Sequence, residues 1–155
     1  MKLGDVLKKE RERKRFTIQD TVGRLAIPIE EYQALESGNS PAEDWGPRMA
    51  RIAIALHTPT SRLISETGKS AQARQRQGQC GKLIASHRET KGLSRKDLAQ
   101  KVGLSESEMA SIEEGTTALE TYAPLLLSFS EMIEQPIFNL FYPCGLSLDK
   151  LTDYP

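Results

Sequence analysis

The residues best placed to do chemistry are polar ones opening two short helical patterns in the second half of the chain. Arg95 and Lys96 directly follow Ser94, Glu106 and Ser107 directly follow Ser105, and Ser111, Thr116 and Thr117 come soon after. A cation at a helix start suits phosphate, because the free backbone N–H groups there already favour an anion. Serine and glutamine on an exposed helix face suit hydrogen bonding to polar edges. Other chemistries lack their reagents. Cys80 and Cys144 are too few for a disulfide framework or a thiolate metal site, and His57 and His87 have no Cys or His at ligand spacing. No Ser/His/Asp spacing, phosphate-cradling glycine loop or polar cluster with a reaction geometry is present. The expectation is a non-enzyme with no metal and no cofactor.

The elements that would position these residues read clearly. Helix 1 of this half runs from about Gly81 to Thr90 and ends at Lys91-Gly92. Ser94 caps helix 2 with Asp97 at the third helical position, and Ser105 caps helix 3 with Glu108 in the same place, a capping box. Gly115 closes helix 3, Pro124 sits near the start of helix 4, and Pro136 starts a short helix 5. No alternating strand pattern is evident, so the chain reads as all-α.

The same plan occurs twice. A shift of 77 residues places Gly4 on Gly81, Arg11 on Arg88, Asp20 on Asp97, Glu31 on Glu108, Glu36 on Glu113 and Gly38 on Gly115. It also places Glu43, Pro47, Pro59 and Leu63 on Glu120, Pro124, Pro136 and Leu140, and the register holds without a gap from residue 4 to 65. Two copies of one unit are implied. The expected organisation is domain 1–65, linker 66–79, domain 80–142 and tail 143–155. The linker has no large apolar residue; as a random coil its 14 residues would span about 20 Å, and a weak helix through AQARQRQ is the alternative. Leu146, Leu148, Leu151 and Tyr154 make the tail apolar enough to dock on its own domain or on a second chain.

The segment 92–115, GLSRKDLAQKVGLSESEMASIEEG, resembles the helix-turn-helix of the Cro/CI-type (XRE-like) DNA-binding domain. Small Ala99, turn Gly103 and apolar Met109 and Ile112 stand at the spacing that lets two helices cross closely and bury the second. Arg11 and Glu36, like Arg88 and Glu113, match an Arg–Glu pair of that family that is structural. The resemblance covers both copies and implies two tandem five-helix lambda-repressor-like domains. The first copy departs from the pattern: Ala26 replaces the turn glycine, Pro28 the capping serine, and Ile18 stands where the family often has Gln.

Carried over residue by residue, the resemblance implies a partner, double-stranded DNA. The start of helix 2 meets phosphate and the exposed face of helix 3 enters the major groove. Phosphate contacts then fall to Arg95, Lys96, Thr116 and Thr117 in the second copy and to Gln19, Asn39 and Ser40 in the first, with Lys69, Arg74 and Arg76 in the linker. The reading face is Glu106, Ser107, Ala110 and Ser111 in the second copy and Ile29, Glu30, Gln33 and Ala34 in the first. Gln33 suits adenine, but neither face has an Arg or Lys for guanine. Glu108 and Glu31 are expected to serve as helix caps.

Charge argues the other way. Lys+Arg and Asp+Glu are both 21, and residues 80–155 hold 7 basic against 11 acidic side chains, a difference of −4. The better-formed helix-turn-helix therefore sits in the acidic half. The run KKERERKR (8–15) is mixed in sign and reads as a solvated helix face. Two functions follow: a transcriptional regulator, as one chain mimicking a dimer or as a homodimer of such chains, and a protein-binding adaptor or antagonist that keeps the fold without DNA affinity. No apolar run approaches the ~18 residues of a membrane span and the N-terminus lacks a signal-type apolar core, so a cytoplasmic protein is expected.

Overall fold

Every regular element among the described residues is helical. The computed structural model describes residues 1–73 and 77–146. In order come α1 (Leu3–Arg13), α2 (Ile18–Leu25), α3 (Ile29–Ser37), α4 (Ala42–Ala55), a 3₁₀ turn (Thr60–Leu63) and α5 (Ser70–Ala73). They are followed by α6 (Gln79–Thr90), α7 (Arg95–Val102), α8 (Glu106–Glu113), α9 (Leu119–Met132), α10 (Phe138–Phe141) and a 3₁₀ turn (Tyr142–Cys144). Under the 77-residue shift α2 and α4 superimpose on α7 and α9 end for end.

Local chemistry explains the boundaries. Thr17, Ser94 and Ser105 each form a reciprocal capping box, with Asp20, Asp97 and Glu108. Glu31 does not repeat this role: α3 starts after Pro28, which has neither a hydroxyl to accept from the third residue nor an N–H to donate to its carboxylate. Pro47 and Pro124 lie inside α4 and α9, about a turn and a half from their starts, rather than in the first turn. Each omits one helical hydrogen bond. Ala26 takes the left-handed φ of +56° that Gly103 supplies in the second copy.

The repeated polar residues are the joints of each unit. A Cβ on Gly4 would lie 2.5 Å from the carbonyl oxygens of Leu35 and Glu36, and one on Gly81 would strike those of Ile112 and Glu113. Glycine there lets helix 1 touch the end of helix 3. Arg11 bonds Glu36 through Nε at 2.6 Å and the Phe16 carbonyl at 2.8 Å. Arg88 makes the same bonds to Glu113 and Leu93, at 2.8 and 2.9 Å. Glu43 accepts from the N–H groups of Leu3 and Gly4, and Glu120 from those of Cys80 and Gly81. A side chain from helix 4 thus caps helix 1 in each copy.

The two units share one continuous core. α4 packs on α9; α4 also packs on α7, and α9 on α2; the first copy's 3₁₀ turn lies on α6, and α10 lies on α1. Each contact recurs with the copies exchanged, the pattern of an isologous, two-fold pair. Tyr32 stacks on Phe129 across the junction, with ring centroids 6.4 Å apart. Phe141 lies against Gly46, where a Cβ would approach it to 2.7 Å. Within the segment expected as a linker, the short helix α5 packs on α9, and Ser70 donates through N and Oγ to Glu131. Arg74, Arg76, Leu148, Leu151 and Tyr154 lie outside the described residues.

The cause is legible in α9. Residues Leu125 to Ser130 are all buried, so the helix is covered on every side rather than along one stripe. The first copy supplies part of that cover, since α4 and α2 pack on α9.

Candidate nucleic-acid interface

The geometry of α7 and α8 follows from their caps and one carboxylate. Ser94 and Ser105 fix where the two helices start, Gly103 turns the chain at φ +74°, and Met109 and Ile112 are fully buried beneath α8. The first turn of each helix and the last turn of α7 remain outside. Lys96, Glu106 and Ser107 are exposed, and Ser111 is half-buried.

Arg95 is not the free cation its position implies. Its guanidinium lies 3.4 Å from Glu113 Oε1, so Arg88 and Arg95 share one carboxylate whose side chain is 3% exposed. The hydrogen bond to Glu113 holds Arg88 more firmly protonated, against the opposing effect of burial. Ile18 occupies the Arg95 position in the first copy, and Glu36 there accepts from Arg11 through both carboxylate oxygens.

The remaining expected contacts divide into exposed and inward groups. Gln19 and Gln33 are exposed, and Gln33 lines a shallow depression of about 260 Å³ with Lys8, Ile18, Glu36 and Ser37. Asn39 is exposed and donates to Ser37 Oγ at 3.1 Å. Thr116 is exposed and donates to the Ser111 carbonyl at 3.2 Å. Ser40 is buried and accepts from the Ala42 N–H, so it caps α4 rather than facing outward. Thr117, its repeat partner, also carries a buried hydroxyl oxygen. Lys69, in the linker just before α5, lines a cavity of about 490 Å³ with Ser61 and Glu131.

Within the first turn of α8, Glu108 has an altered carboxyl. Bonds from the Ser105 backbone and hydroxyl hold the Glu108 carboxyl below its ordinary range, and the positive charge of Arg48 acts in the same direction. Arg48 belongs to α4 of the first copy, and its guanidinium lies over the Trp45 ring at 4.6 Å. Sequence reasoning passed over Arg48 and Arg51. The available signal was a break in the repeat, since their counterparts are Leu125 and Ser128.

Among the described residues, no group of three or more His, Cys, Asp or Glu could hold a metal ion, and no helix is long and apolar enough to cross a membrane. Cys80 is buried, which pushes its thiol pKa up, away from a reactive thiolate. No protein-family model, curated protein or solved structure matches this chain.

Proposed function

We propose that this chain is a DNA-binding transcriptional regulator of Cro/CI (XRE-like) type, whose two helix-turn-helix units form the covalent equivalent of a two-fold dimer. The observation that carries the reading is the reciprocal packing of the two copies around α4 and α9. Regulators of this shape read two half-sites because the protein has two-fold symmetry. Here one chain holds both units in a shared core, so the half-site spacing is set by packing rather than by a tether. Lys96, Gln19, Thr116 and Asn39 are exposed for phosphate, and Ser107 and Gln33 for bases.

A second reading has its own support. Arg95 is engaged by Glu113, and Glu30 and Glu106 stand exposed where a base-reading side chain belongs. A basic protein partner would suit such acidic faces, as in an adaptor or an antagonist of another regulator.

Selection from a random duplex library at low salt separates the two. The regulator predicts a two-part enriched motif with half-sites about one helical turn (~34 Å) apart. Absence of enrichment, with binding no tighter than the ~10⁻⁴–10⁻⁶ M of non-specific contacts, refutes it and favours the protein partner.

A further inference from the structure

The strongest unassigned feature is a row of cations at the junction of the two copies. Arg48 and Arg51 lie one turn apart on α4, and α4 packs against α7, whose last turn carries Lys101. Arg51 lines two adjoining depressions. One, of about 280 Å³, includes Lys2, Asp44 and Arg48; the other, of about 410 Å³, includes Ile54, Gln100, Lys101 and Gly103. Arg51 therefore sits between Arg48 and Lys101. Arg51 and Lys101 are exposed. None of the three cations forms a salt bridge among the described residues. Stacking on Trp45 holds Arg48 in place while leaving its donors available.

The row is not a product of the repeat. The counterparts Leu125 and Ser128 are buried in α9, so the equivalent face of the second copy is covered. The cations thus occur on one side only, beside the second copy's α7 and α8. The acids nearby are few. Glu43 is occupied by the backbone of α1, Glu108 caps its own helix, and Asp44 remains exposed.

We propose that Arg48 and Arg51 of the first copy, together with Lys101, form a phosphate-contacting strip that completes the DNA surface of the second copy across the junction. The proposal rests on the DNA-binding reading and adds to it. The second copy's reading helix carries no cation of its own, and the strip supplies charge from the neighbouring unit. Its partner is the sugar–phosphate backbone of a duplex, so it contributes affinity and orientation but no sequence preference.

The test measures binding of the full chain to two fluorescein-labelled duplexes, the selected motif and a random sequence, over a salt series. Each lost phosphate contact lowers the slope of log K against log salt by about 0.9. Arg48→Ala with Arg51→Ala should therefore flatten the slope by about 2 units on both duplexes, with the preference between them unchanged. Arg51→Ala alone, at an exposed position, should remove about one unit, and Arg51→Lys should retain it. Circular dichroism checks that helix content is preserved. Wild-type slope in the variants, with DNA still bound, overturns the strip and leaves the regulator standing. A flattened slope on the random duplex without any preferred motif keeps the strip and overturns the regulator. Failure of the wild type to bind either duplex overturns both.

Discussion

Glu113→Gln is the perturbation with the largest expected effect for the smallest change in shape. The Glu113 side chain is 3% exposed and accepts from Arg88 at 2.8 and 3.0 Å and from Arg95 at 3.4 Å. Glutamine keeps the volume but removes the charge and turns a donor toward the guanidinium of Arg88, whose side chain is 11% exposed. Breaking a buried pair from one side costs about 3–5 kcal/mol, because the remaining charge is left uncompensated. For a chain of 155 residues, with about 2–4 °C per kcal/mol, the melting temperature should fall by roughly 6–20 °C. Arg95→Ala tests the same network from its weak side. Arg95 is 40% exposed and its loss leaves Arg88 and Glu113 paired, so the cost should stay under about 1 kcal/mol. Thermal and urea unfolding followed by circular dichroism measure both. A Glu113→Gln loss as small as that of Arg95→Ala would refute the view that this carboxylate joins helices 1, 2 and 3 of the second copy.

Other outcomes follow from the same geometry. Gly81→Ala should destabilise by about 1–3 kcal/mol through its clash with the Ile112 and Glu113 carbonyls; the slight stabilisation expected of alanine in an open helix would refute the close approach. Ala26→Gly should stabilise by about 1 kcal/mol in urea titrations, because the left-handed backbone there suits glycine. Calorimetry should show one unfolding transition, since the copies share a core, and two separated transitions would contradict it. Acid should weaken the caps of α2 and α8. Bonds from Thr17 and Ser105 hold Asp20 and Glu108 below their ordinary range, so their contribution is present at neutral pH and is lost as pH falls through that lowered range. Glu120 has the opposite sign, because burial raises it and its ionisation costs stability as pH rises through its folded value. Glu120→Gln should therefore flatten the rise of stability on mild acidification in a urea series across pH.

Much of the architecture was legible because it rests on local rules. Ser94-x-x-Asp97 and Ser105-x-x-Glu108 are capping boxes in sequence and in structure. The equal spacing of Arg11–Glu36 and Arg88–Glu113 marked real ion pairs. The identities kept by the repeat proved to be mainly joints: Gly4 and Gly81 allow a close approach, and Glu43 and Glu120 cap a distant helix. The candidate site was less legible. Arg95 looked like a free cation at a helix start, and only the position of Glu113 ties it back. Ser40 looked exposed at the end of α3, yet it turns inward to cap α4.

The sequence by itself determined the helices, their caps and the two-fold repetition, since these depend on residues within a few positions of one another or on a register that can be counted. Tertiary structure alone decided that the copies merge. α9 is buried on every side along Leu125–Ser130, and α4 and α2 of the other copy pack against it. That merger docks α5 on α9 and brings the charge of Arg48 within electrostatic reach of Glu108 in the other repeat. Such pairings join residues about 60 positions apart through a shared core, and no local pattern records them.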